Sequence, residues 1–199
     1  SASIWKVHRL EGAYRLPVAA CRAVAPIASH VEQRVSGSGR VADDLTVPEP
    51  RKASSYGPRP IIVHEEEVST ELPKILRFYG RVSQSGSLCV ADGAWPLRNI
   101  VRDLARREGF QVEKENMRKI KGLERAMVIV LAQAYANHDE ETASQCFYTA
   151  MTRATAVTIV ILPEKPAPEL EDALKALDRT RFLPWSSVSA RAMAASLGG

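Results

Sequence analysis

Two stretches, Met127 to Ala132 (MVIVLA) and Ala156 to Leu162 (AVTIVIL), are apolar or β-branched without a charged break, and they limit the fold more than anything else in the chain. Neither alternates polar and apolar side chains, so neither suits a sheet with one face in water. Strands of this kind need cover on both faces, which is the environment of a parallel sheet whose crossover helices return over each side. The segments around them agree. Pro60 to His64 (PIIVH), Ser87 to Ala91 (SLCVA) and Phe110 to Glu113 read as further strands, and Ile4 to Arg9 as a short one. Apolar residues at helical spacing mark helices over Pro17 to Val35, Glu65 to Tyr79, Pro96 to Glu108, Glu140 to Met151 and Glu169 to Leu177, with another over Val188 to Leu197. Pro26 and Pro73 fall inside two of these helices and predict a kink or break. Gly109 stands where a helix stop is expected. Strand and helix in alternation make this an α/β chain: three layers, a mostly parallel sheet, helices on both faces.

Ser36 to Pro60 has no sustained periodicity and is rich in Gly, Ser and Pro, so it reads as a surface loop. With 45% hydrophobic and 25% charged residues in 199, one domain with its own core is expected. The net charge of +4 allows a polyanion partner without requiring one. No apolar run approaches ~20 residues and the N-terminal stretch has no apolar signal core, so a cytoplasmic protein with no membrane partner is expected. Cys21, Cys89 and Cys146 are odd in number and far apart, as for reduced thiols. His8, His30, His64 and His138 show no ligand spacing, and no metal site is expected.

Three segments carry polar residues at the ends of these elements: Tyr14-Arg15 in LEGAYR, Lys121-Gly122-Leu123-Glu124 in NMRKIKGLERAMVIV, and Thr152-Arg153 in FYTAMTRATAVTIVIL. They are expected at the carboxyl edge of the sheet, where ligands gather in open α/β folds. A lone Arg at a helix-strand junction either pairs with an internal carboxylate or faces an external anion such as phosphate.

In this order the three segments resemble motifs IV, V and VI of the C-terminal RecA-like motor domain (2A) of UvrD/Rep-type superfamily 1 DNA helicases. The likeness runs from Val7 to Leu162 and leaves the tail after Pro163 unexplained. It implies a RecA-like (P-loop NTPase-like) fold over residues 1–199, with an irregular loop at 36–60 and a helical tail at 164–199. It also implies ATP with magnesium as cofactor. Arg15 and Arg153 would contact the γ-phosphate, Tyr14 would stack on adenine, and Glu124 would accept from the ribose, with Gly122 allowing close backbone approach. Asn116, Arg118 and Lys119 would follow a single DNA strand, and Arg98 would add a contact near Asp92. As a structural alternative, Arg15 and Arg153 would be ion-pair partners, Tyr14 a core aromatic, and Glu124 and Lys119 solvated charges.

Some residues depart from the pattern. Ala13 stands for the usual Asn of motif IV, and Arg118 for the usual His of motif V. The interval from Arg15 to Lys121 is too short for a large 2B insertion. No G-x-x-x-x-G-K-[ST] occurs in these residues, and no acidic pair follows a strand to hold magnesium in the family's manner. The resemblance therefore implies half of an ATP site, completed by an N-terminal RecA-like domain of the same parent, with no activity in this chain alone. A different class of function stays open: a nucleotide-switched remodelling protein that does not unwind duplex. RNA polymerase or repair proteins would then be among its partners.

Overall fold

The computed structural model describes residues 16–37, 56–80, 87–91, 97–113, 124–132 and 140–185. Helix α1 (Val18–Gly37) is followed by β1 (Ile61–His64), a 3-10 turn at Glu65–Glu67 and α2 (Val68–Gly80). Then come β2 (Ser87–Ala91), α3 (Leu97–Arg107), β3 (Gln111–Glu113), β4 (Arg125–Leu131), α4 (Glu140–Met151) and β5 (Ala154–Leu162). The chain continues through a 3-10 turn at Pro168–Leu170, a short α5 (Glu171–Lys175), a second 3-10 turn at Arg179–Arg181, and β6 (Leu183–Pro184).

The strands form one sheet in the order β3-β2-β4-β5-β1-β6, and every pair in it is parallel. β4 and β5, the two uninterrupted apolar runs, lie at its centre, where both faces are covered. Alternate residues divide between two cores. Ile129 and Leu131 of β4 pack with Ile159 and Ile161 of β5 against α2 and α3. Val128 and Val130 pack with Val160 and Leu162 against α1, α4 and the short α5. This is the three-layer arrangement expected of a RecA-like domain.

The helices run through both internal prolines. Pro26 deprives the Arg22 carbonyl of its helical donor, and Pro73 does the same to Ser69. Arg22 and Ser69 are both exposed, so water can serve the carbonyls in place of the missing N–H. Of the kink or break expected at Pro26, the break does not occur. The stop at Gly109 does: its φ is +85°, its N–H donates to Arg106 O at 3.0 Å, and Phe110 N–H reaches back to Ala105 O at 3.1 Å. These are the two reverse bonds that close a helix at a left-handed residue.

The segment after Pro163 is less helical than expected as far as it is described, and it adds a strand. β6 joins the sheet edge beside β1, Ile61 level with Leu183, and Leu183 N–H donates to Pro60 O at 2.8 Å. Two residues, one of them proline, give no periodicity from which to read it. Among the described residues no helix is long and apolar enough to cross a membrane. The strand expected at 4–9 and the helix expected at 188–197 lie outside the described residues, as does most of the 36–60 loop.

Candidate functional site

The site forms where β4 and β5 begin side by side. Arg125 is level with Ala154, and the Arg125 N–H donates to the Arg153 carbonyl at 3.1 Å. Glu124 and Arg153, each the residue just before its strand, are thereby neighbours across the sheet. Because the strands are parallel, both stand at the amino edge, and the expectation of the carboxyl edge is corrected. A residue that precedes a strand in sequence can only enter it from its amino end. Glu124 and Arg153 are neighbours at this opposite edge.

The register slips by one residue between Arg125/Met127 of β4 and Ala154/Val157 of β5. The extra residue is a bulge just after Arg153, and it puts Ala156 and Val157 together against the α2–α3 core. Bulges of this kind bend a strand and re-aim the side chains beside them.

Arg153 is partly exposed and is anchored from the end of α4 and the turn that follows it. Its Nε donates to the Thr149 carbonyl at 3.2 Å and its Nη2 to the Thr152 hydroxyl at 3.2 Å, while that hydroxyl donates to Thr149 O at 2.9 Å. These bonds fix the direction in which the guanidinium points. A planar fork of N–H donors held in this way suits a phosphate oxygen pair. The phenol of Tyr148, one turn earlier in α4, is pushed up to about 12, mainly by burial; the charge of Arg153 opposes the shift and Cys21 adds to it. Cys21 in turn donates through its thiol to Leu16 O at 3.6 Å.

Beside Glu124, the Arg125 side chain donates through Nη1 to the Glu124 carbonyl at 2.6 Å and through Nε to Glu113 Oε2 at 2.6 Å. This partly buried ion pair, strengthened by a second contact from Nη2, ties the entry of β4 to β3. It fixes the backbone from which Glu124 projects. The sequence reading did not single out Thr149 and Arg125; their spacing of four residues and one residue from Arg153 and Glu124 was the available signal.

Arg98 lies elsewhere. It is the second residue of α3, which leaves the carboxyl end of β2, so it is at the opposite edge from Glu124 and Arg153. Tyr14, Arg15, Asn116, Arg118, Lys119 and Gly122 lie outside the described residues. Among the described residues no three or more His, Cys, Asp or Glu side chains converge as metal ligands.

The family model of the UvrD-like helicase C-terminal domain matches residues 115–161, the span that holds both KGLE and MTRA. No curated protein matches the chain. A solved structure that matches, described as the C-terminal domain of a possible DNA helicase from Lactobacillus plantarum WCFS1, is 16% identical with a TM-score of 0.44. That match covers 64% of this chain and 86% of the other.

Proposed function

We propose that this chain, whose residues 115–161 match the UvrD-like helicase C-terminal domain, is the second motor domain of an ATP-dependent superfamily 1 DNA helicase or translocase. The observation that carries the reading is the placement of Arg153. Its guanidinium is oriented by the Thr149 carbonyl and the Thr152 hydroxyl at a sheet edge, on the strand beside Glu124. In this reading Arg153 and Arg15 stabilise charge on the γ-phosphate, Glu124 and Gly122 receive the ribose, and Tyr14 meets the adenine ring. ATP, when bound, supplies the free energy of its terminal phosphoanhydride. Magnesium is assigned to an N-terminal RecA-like domain, which would also bring the phosphate-cradling loop. Asn116, Arg118 and Lys119 would hold single-stranded DNA, with Arg98 contributing from the other edge.

The amino-edge position has a physical consequence. The strand bulge and the Thr149 and Thr152 bonds fix the guanidinium before any ligand arrives, so little reorganisation accompanies charge development. In a protein carrying both motor domains, Arg153→Ala is expected to lower DNA-stimulated ATP hydrolysis by ~10³-fold or more, while the variant stays folded. Turnover within a few fold of the parent would overturn the assignment. A strand-displacement assay on the same protein separates a helicase from a remodelling protein that hydrolyses ATP without unwinding.

A further inference from the structure

The sheet's amino edge carries a second group of arginines that the reading of Arg153 does not use. Arg22 in α1, Arg59 before β1 and Arg181 before β6 line one cavity of about 150 Å³, with Ala19 and Thr180 completing its wall. Their convergence follows from the fold. Ile61 and Leu183 are level, so the residues two positions ahead of each, Arg59 and Arg181, arrive side by side. The start of α1 is docked on the same loop, Ala19 N–H donating to Tyr56 O at 3.1 Å. Pro58 and Pro60 flank Arg59 and restrict its backbone, so its position is largely fixed in advance.

The charges do not balance. Arg181 donates through Nε to Asp178 at 3.2 Å, but Arg22 and Arg59 have no ion-pair or hydrogen-bond partner among the described residues. Three guanidiniums against one carboxylate leave an excess of positive charge in a small concave space, which attracts an anion. Ala19, which lines the cavity, also holds the backbone of Tyr56, whose side chain is 79% exposed. A large aromatic left in water on the segment that carries Arg59, together with uncompensated arginines, has the two parts by which single strands are held. The ring stacks a base and the cations meet the backbone.

We infer that Tyr56, Arg22, Arg59 and Arg181 form a contact for single-stranded nucleic acid, with a phosphodiester in the arginine cavity and a base on the Tyr56 ring. The contact is separate from Arg153 and does not rest on the reading of that residue. The shared chemistry, a phosphate with a base, would also be offered by a free nucleotide, and the strand is favoured because the ring is open to solvent.

The test is fluorescence anisotropy of a labelled oligo(dT) of about 20 nucleotides with the 199-residue chain, titrated over a range of salt. Arg22→Ala with Arg59→Ala is expected to weaken binding about tenfold. It should also reduce the slope of log affinity against log salt by roughly 0.7, the value for one phosphate contact. Tyr56→Ala should weaken binding about tenfold with the slope unchanged. Arg107→Ala, an exposed cation in the layer on the other face, should change neither. All four residues are exposed, so melting temperatures should be retained and loss of fold should not confuse the result. An unchanged slope in the double variant, unchanged affinity in Tyr56→Ala, or an equal loss in Arg107→Ala would each overturn the inference. Displacement of the oligonucleotide by micromolar ATP, but not by an equal concentration of inorganic phosphate, would assign the cavity to a free nucleotide and overturn the strand.

Discussion

Gly57 and Gly109 both hold positive φ, at +59° and +85°, yet their surroundings differ. A Cβ on Gly109 meets nothing within 4 Å, so Gly109→Ala is expected to lose only the left-handed penalty, about 1–2 kcal/mol. A Cβ on Gly57 would lie 2.2 Å from Pro17 Cβ and 2.7 Å from its Cγ, a clash that must move the loop or the first turn of α1. Gly57→Ala should therefore cost clearly more, read as a larger drop in urea midpoint at unchanged slope. Equal losses would show that the loop yields freely. Tyr148 gives a second prediction at this scale. Its phenol titrates at about 12, above the ordinary 10, so between those values the folded state holds a proton that the unfolded state has released. The Tyr148 contribution to stability is complete below pH 10 and is lost as pH rises toward 12. In an absorbance titration of the five tyrosines, Tyr148→Phe should remove the latest step. Arg153→Ala should move that step higher still, since the guanidinium lowers this pKa. A step unmoved by Arg153→Ala would argue that the two groups do not face each other.

Strand β4 shows what packing on both faces demands. Ile129 is fully buried between the two helical layers, level with Val90 of β2 on one side and Ile159 of β5 on the other. Ile129→Ala should cost about 2–5 kcal/mol in chemical unfolding, because α2 and α3 cannot collapse into the hole without giving up their contacts with the neighbouring strands. Ile100, 43% exposed on α3, should cost no more than about 0.5 kcal/mol when cut to Ala, and a similar loss at both positions would contradict the layered core. The same burial explains what the sequence reveals. The apolar interiors of β4 and β5 are plain in it, but the entry of β4 is not, because Arg125 serves the site and not the core. The amino-edge position of Glu124 and Arg153 is legible from order alone, since each precedes its strand, but the general preference of ligands for carboxyl edges obscures it. The arginine cavity is not legible. Arg22, Arg59 and Arg181 come from three distant segments without a shared period, and only the level pairing of β1 with β6 brings them together.

At the scale of the whole molecule, the segment from Pro163 to Trp185 serves as a clasp across the sheet edge and not as an appendage. Leu170, Ala173, Leu174, Leu177 and Phe182 enter the core beneath α1 and α4, while Trp185, three residues after Phe182, enters the core on the other face. Its ring lies 6.0 Å from that of Phe78 and 6.4 Å from that of Tyr79, and its Nε1 donates to Glu71 Oε2 at 3.0 Å. Removing water from both layers through one short segment makes each layer's packing depend on the other. A strap of this kind should unfold together with the sheet, as a single cooperative step. The chain has three tryptophans, so replacing Trp5 and Trp95 with Phe leaves Trp185 as sole reporter. Its fluorescence and the far-ultraviolet circular dichroism should then change at the same denaturant concentration. If the fluorescence changed first, the segment would be a separately melting tail. If Trp185→Ala shifted the midpoint by less than the loss of a surface residue, the clasp would contribute nothing to holding the two layers together.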